Sequence, residues 1–209
     1  MTFLELCKQF RQSVGASGSG PVTVMDQSGE YARLVSWIQQ AWREIQLSRH
    51  WRFEWAEASV GTLVGFRECQ PPSDLSVWDA FTLKIDGKAL HVLSWSDFRQ
   101  HYQEDAGADY PSFIAQKPDG TLILDAAPRQ DGLITFEYWR TPQALTESSD
   151  VPRLPERYHM VIVYRAMLFY ALYENAPEVL QAARSGEARI LNEMVEQELP
   201  KVTNPEPLA

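Results

Sequence analysis

His101, Glu104 and Asp105 fall on one short helical turn, a spacing at which an imidazole and two carboxylates can share a divalent cation. No second ligand pair follows at a recognised spacing, so neither a metal nor another cofactor is expected. Glu54 and Glu57 are the other acidic pair of interest, because glycoside hydrolysis needs two carboxyl groups roughly 5–9.5 Å apart across a sugar. The alternation around Glu54 instead puts that carboxylate on the solvent side of a strand. Residues 15–21, Gly-Ala-Ser-Gly-Ser-Gly-Pro, have the glycine content of a phosphate-cradling loop. They lack the Gly-Lys-Ser/Thr ending and no strand precedes them, so they read as a connector. Cys7 and Cys69 match no metal or redox spacing, and His50, His91 and His159 stand alone. There is no Gly-x-Ser-x-Gly elbow, no His-Glu-x-x-His and no dinucleotide fingerprint. The expectation is a chain without catalytic residues, not an enzyme.

The elements around these residues are clearer than any chemistry. The chain has 209 residues, 44% hydrophobic and 22% charged, enough for one good core and a smaller second one. Its longest apolar stretch, Val161 to Tyr173, contains Arg165 and is shorter than the roughly 20 residues of a membrane span. Residues 1–5 lack the features of a secretory signal, which points to synthesis in a cytoplasm. A net charge of −9, with no block among the 19 Lys and Arg, argues against general nucleic-acid binding and favours protein partners.

Thr2 and Glu5 form a capping box ahead of an apolar stripe of Phe3, Leu6, Cys7, Phe10 and Val14. A second helix is predicted from Glu30 to about Arg49 on Tyr31, Leu34, Val35, Ile38, Trp42 and Ile45, with Arg33, Gln40, Arg43 and Gln46 on its outer side. Trp37 lies on the flank of that stripe, either as a subunit-interface residue or packed under a neighbouring β region. A third helix, Tyr158 to Tyr173, is apolar nearly all round and must be buried on most sides. Pro177 opens a fourth with a stripe of Leu180, Ala183, Ile190, Leu191 and Met194. Arg165 and Glu187 interrupt these two apolar faces, each about eleven residues from the turn at Ala176. Antiparallel packing would bring them level as an ion pair; the alternative is that Arg165 faces a neighbouring subunit or partner.

Between the helical halves the period changes. Trp51, Phe53 and Trp55 alternate with Arg52 and Glu54 as in a half-buried strand. Asp86-Gly87, Asp119-Gly120 and Asp131-Gly132 are hairpin signals. They predict an antiparallel meander with strands near 58–65, 79–86, 89–94, 113–117, 121–125 and 133–140, and a short helix near 95–103. The expected architecture is α+β: a four-helix bundle from residues 1–50 and 151–199, with an antiparallel β domain, 51–150, inserted between helices 2 and 3. Residues 200–209, with three prolines and no periodicity, read as an extended tail.

Leu34 to Gln46, Trp51-Arg52-Phe53, Ile134 to Pro142 and Val161 to Met167 with Tyr170 and Tyr173 together resemble the head-to-tail adaptor proteins of tailed bacteriophages, especially short-tailed ones. The resemblance covers most of residues 1–199 and rests on packing patterns. It implies a virion protein forming a homo-oligomeric ring, commonly of twelve copies, between the portal protein and the tail nozzle protein. DNA passes through such a ring without specific binding. It also implies that the tail, through Pro200, Lys201, Val202, Pro205, Pro207 and Leu208, contacts the portal. Two alternatives stand beside it: an adaptor with cell-wall hydrolase activity using Glu54 or Glu57, and a non-viral protein-binding module.

Overall fold

The structure is a computed structural model in which residues 1–104, 106–108 and 110–199 are described. It divides into two units, one of Met1–Glu54 with the residues from Pro142 onward, the other Trp55–Thr141.

In the helical unit, α1 (Phe3–Ser13) opens on the expected capping box: Glu5 N–H donates to Thr2 Oγ1 at 3.2 Å and Thr2 N–H donates to Glu5 Oε2 at 2.8 Å. α2 spans Gly29–Leu47 and buries Leu34, Val35, Ile38, Trp42 and Ile45. A 3-10 turn over Glu156–Tyr158 leads into the next helix of this unit, Met160–Tyr173, and Pro177 starts the last, Pro177–Glu198. The Met160–Tyr173 helix touches all three others, which is why a sequence apolar on nearly every side is stable there. Val161, Ile162, Val163, Ala166 and Met167 are buried in a core shared with Phe10, Ile38, Trp42 and Met194.

Gln46 was expected to point outward, yet it is 5% exposed. Its side-chain amide donates to Gln143 O at 3.1 Å and accepts from Gln143 N–H at 2.6 Å, fastening the extended segment after Pro142 to α2. Leu145 on that segment is buried in the helical core. Residues 142–150 therefore pack with the helices and not with the β region to which their position assigned them. Residues 51–54 do the same: Trp51 and Phe53 stack at 5.9 Å, Phe53 stacks on Trp42 at 5.9 Å, and Trp51 Nε1–H donates to Ile45 O at 2.7 Å. Those contacts curl Arg52–Glu54 into a 3-10 turn, so the expected strand through Trp51 and Phe53 starts only at Trp55.

The β unit contains β1 (Trp55–Thr62), β2 (Glu68–Cys69), β3 (Leu75–Trp78), β4 (Lys84–Ile85), β5 (Lys88–Ala89) and β6 (His91–Val92). These are followed by α3 (Trp95–His101), β7 (Phe113–Gln116), β8 (Leu122–Leu124) and β9 (Gly132–Arg140). The two later helices of the other unit are accordingly α4 and α5. One sheet has the order β1-β9-β4-β5 with β3 also on β9; the second runs β2-β8-β7-β6. Ala58, Val60, Ile85, Ile134 and Phe136 from the first meet Ile114, Leu122 and Leu124 from the second in one core.

Asp86-Gly87 is a tight hairpin turn, both residues at positive φ (47° and 81°), joining β4 to β5. Gly120 (φ 91°) lies in the β7–β8 turn. Asp131-Gly132 is not a hairpin, because β8 and β9 belong to different sheets and β9 pairs instead with β1, from Trp55↔Trp139 to Thr62↔Gly132. Gly132 is needed for another reason: a Cβ there would lie 2.7 Å from Asp86 Oδ2, whose other oxygen accepts from Leu133 N–H. The meander is also broken once, since β6 and β7 pair in parallel, with α3 in the crossover. β2 and β3 carry no turn signal of their own and were not foreseen.

Candidate interaction surface

Arg165 projects from α4 toward two acids on different helices. Its Nε–H donates to Glu187 Oε1 on α5 and its Nη1–H to Glu44 Oε2 on α2 at 3.2 Å. Burial alone would lower the guanidinium's affinity for its proton, but the hydrogen bonds and charges of Glu187 and Glu44 outweigh it and the pKa is raised. Glu44 was not foreseen as a partner; its position one turn beyond Gln40 on the outer side of α2 carries no apolar anomaly to flag it. Next to Glu187 in the chain, Gly186 lets α4 and α5 approach closely, since a Cβ there would meet the Tyr164 ring at 2.6 Å.

Trp37 is half-buried within the helical unit, where its ring lies 6.1 Å from Phe10, 6.1 Å from Tyr170 and 5.8 Å from Tyr173. Arg33 caps this cluster, its guanidinium 4.5 Å from the Tyr173 ring centroid and donating to the Tyr173 hydroxyl. The outer side of the cluster is open, with Leu172 72% and Tyr173 55% exposed. A groove of about 470 Å³ runs between α2 and the fastened segment, lined by Gln39, Gln40, Arg43, Pro142, Ala144 and Leu145 among others.

The glycine-rich stretch is held by a side chain of α1. Arg11, 9% exposed, donates from Nε to Ser17 O at 3.0 Å and from Nη1 to Glu30 Oε1 at 2.6 Å. Gly15, Gly18 and Gly20 sit at positive φ, the conformation that lets the loop fold back on α1.

Glu54 is buried, not solvent-facing, and pairs with Arg153 at 2.5 Å inside the helical unit, whereas Glu57 is exposed on β1 in the other unit. His101 Nδ1 contacts Asp97 O at 2.9 Å and Glu104 is exposed; Asp105 lies outside the described residues. Among the described residues no group of three or more His, Cys, Asp or Glu is placed to hold a metal. Cys7 and Cys69 are free and buried, and burial pushes their thiols up to about 12 and about 11, which makes them unreactive near neutrality. His159 is buried against Leu154 O at 2.8 Å and the Met1 amino nitrogen at 2.8 Å, a structural role. Residues 200–209, including Pro200, Lys201, Val202, Pro205, Pro207 and Leu208, lie outside the described residues.

The β unit exposes apolar groups on tightly held turns. Leu63, Val64 and Phe66 are 61%, 52% and 64% exposed, while Gly65 N–H donates to Pro128 O and Val64 N–H to Asp131 Oδ1, both at 2.9 Å. Phe81 is 98% exposed on a turn fixed by its own N–H to Asp79 Oδ1 at 3.0 Å. These turns combine fixed backbone with exposed apolar side chains, a type of surface found at protein–protein contacts. No helix among the described residues is long and apolar enough to cross a membrane.

That description agrees with the comparisons. The family model for the SU10 adaptor protein matches residues 1–206, and the chain belongs to that family of phage adaptors. A comparison with curated proteins returned no match.

Proposed function

We propose that the protein is the head-to-tail adaptor of a tailed phage, forming a ring between the portal and the tail nozzle and extending the channel through which DNA passes. The observation that carries this reading is family membership over 206 of the 209 residues. In this reading α1, α2, α4 and α5 act as a four-helix bundle with the β domain inserted between α2 and α4. Identical neighbours meet head to tail and the ring, commonly of twelve copies in such adaptors, closes because the rotation per subunit allows it. The open Trp37–Tyr173–Arg33 cluster suits the seam between neighbours, because aromatic and arginine side chains dominate buried contacts. A net charge of −9 favours a channel on which DNA slides. Residues 200–209 serve as the portal contact.

The test is to mix the purified chain with its cognate portal and weigh the products by native mass spectrometry. The expected result is a monomer or weak oligomer alone and a closed ring on the portal. A chain that stays monomeric with the portal overturns the reading. A version ending at Leu199 should melt at the same temperature and bind the portal more weakly.

A further inference from the structure

β1 is an edge strand, paired with β9 along all eight of its residues and, among the described residues, with no other strand. On β9, Glu137 O accepts from Asp79 N–H at 2.8 Å, Glu137 N–H donates to Thr82 Oγ1 at 2.8 Å, and Leu133 O accepts from Asp86 N–H at 3.0 Å. These β9 residues thus direct their backbone groups away from β1. In an antiparallel ladder their register partners Glu57 and Gly61, and Ser59 between them, direct theirs away from β9. All three are exposed and their backbone groups have no hydrogen-bond partner among the described residues.

Natural sheets blunt such edges with short strands, lysine, proline or bulges. The opposite edge of this sheet follows that rule: β5 is two residues long and carries Lys88. β1 has none of these devices, being long, free of lysine and proline, and in unbroken register with β9.

The face beside the open edge has its own anomaly. Glu57 and Glu137 are direct cross-strand neighbours, an arrangement of like charges that destabilises a sheet. Glu137 Oε2 accepts from Trp55 Nε1–H at 3.0 Å, while the Glu57 carboxylate has no partner among the described residues. Both acids line a groove of about 340 Å³ whose one ammonium, Lys84, is in register with Thr135 and pairs with neither.

We infer that the free edge of β1 accepts an extended segment of a partner protein as an added strand, with a lysine or arginine of that segment set against Glu57. Backbone bonds to Glu57, Ser59 and Gly61 would supply affinity and the carboxylate the choice of partner. A basic segment is favoured over a second copy of this edge, because residues 55–141 hold 13 Asp and Glu against 7 Lys and Arg and two such units repel. The inference goes beyond the adaptor reading and holds whichever protein supplies the strand.

Ser59→Pro separates the edge from the fold. The Ser59 N–H points away from β9, so proline removes no ladder bond and is tolerated as on other edge strands. The probe is the synthetic peptide Thr-Lys-Val-Lys-Val-Lys-Thr, with its glutamate counterpart as control, titrated into the intact chain by calorimetry and followed by backbone amide NMR. The lysine peptide should bind the unaltered chain and shift the amides of Glu57, Ser59 and Gly61. Affinity should fall at least about tenfold in Ser59→Pro and several-fold in Glu57→Gln. Absence of binding at millimolar peptide, equal binding of the glutamate peptide or by Ser59→Pro, or shifts elsewhere would each overturn the inference. So would a dimer of the unaltered chain in sedimentation that Ser59→Pro abolishes. Should Ser59→Pro fail to fold, Glu57→Lys, at an exposed position on the same edge, must lose the lysine peptide. Normal ring assembly on the portal by a Ser59→Pro chain that has lost the peptide would leave the adaptor reading intact.

Discussion

The helical and β units differ in how they handle charge beside apolar surface. In the helical unit the buried Arg11 and the half-buried Arg153 and Arg165 each reach a carboxylate. In the β unit Glu57 and Lys84 share a groove without pairing, and Phe81, Phe66 and Leu63 stand in solvent on turns that backbone bonds hold still. The helical unit uses its paired charges for its own stability, while Leu172 and Tyr173 stay exposed on it. The β unit leaves like charge unpaired on its surface, at a cost to its own stability.

The comparison breaks first at Glu187. Truncation to Ala removes one of two acceptors from a guanidinium that is 22% exposed and still has Glu44. The loss should therefore fall below the ~3–5 kcal/mol of stranding a fully buried charge, at about 2–3 kcal/mol. Glu187→Gln, which keeps an acceptor, should lose less. Urea unfolding measures both, and losses of only a few tenths of a kcal/mol would mean that the α2–α4–α5 ion network contributes nothing to the fold.

Gly186→Ala should come next. The new methyl carbon would sit 2.6 Å from the Tyr164 ring, and overpacking of this kind costs about 1–3 kcal/mol. Gly186→Ala in a Tyr164→Ala background should recover part of the loss in a double-mutant cycle. Additive losses would show that the ring yields freely and that the close approach of α4 and α5 is not what selects glycine.

These two sites also mark what the sequence could say. Helices were legible because a 3.6-residue period repeats over many turns, and the interruptions by Arg165 and Glu187 were legible for the same reason: a charge on an otherwise apolar stripe needs a partner. Glu44 and Gly186 were not, since neither disturbs a stripe and both matter only once α2, α4 and α5 are side by side. The five-residue alternation from Trp51 to Trp55 was too short to tell a strand from a turn whose aromatics fold back onto a helix. In the β unit the Asp86-Gly87 turn is local chemistry and could be read. The pairing of β1 with β9, whose partners lie seventy or more residues apart, the parallel β6–β7 step and the open edge are not local and left no periodic trace.

A smaller effect should come with acid. Burial is the main cause holding the His159 pKa below its ordinary 6.5, with the nearby amino terminus adding to it against the raising influence of Leu154 O and Glu156. The ring is therefore favoured neutral in the folded chain, and its contribution is complete above pH 6.5. That contribution is lost as pH falls through the depressed folded value, where the unfolded chain binds the proton more readily. Urea midpoints should decline from pH 7.5 to pH 5, and the decline should be shallower in His159→Gln. An identical slope in both would remove His159 from the acid response of the helical unit.

The smallest change in stability belongs to Phe81, and it tests the β half of the comparison. The side chain is 98% exposed, and its turn is held by Asp79, whose Oδ1 accepts from Phe81 N–H and whose carbonyl accepts from Thr82 N–H at 3.1 Å. None of those bonds involves the ring, so Phe81→Ser should stay within about 0.5 kcal/mol of the unaltered chain, as surface substitutions away from packed features do. If the ring is kept exposed for contact, the same variant should associate more weakly with the cognate portal or with neighbouring copies in native mass spectrometry, against an unchanged melting temperature. Weakened association with intact stability would sharpen the contrast between the units. A loss above about 1 kcal/mol would instead mean that Phe81 holds its own turn together, and the β unit's exposed aromatics would then have to be explained, like the helical unit's buried ones, by the fold alone.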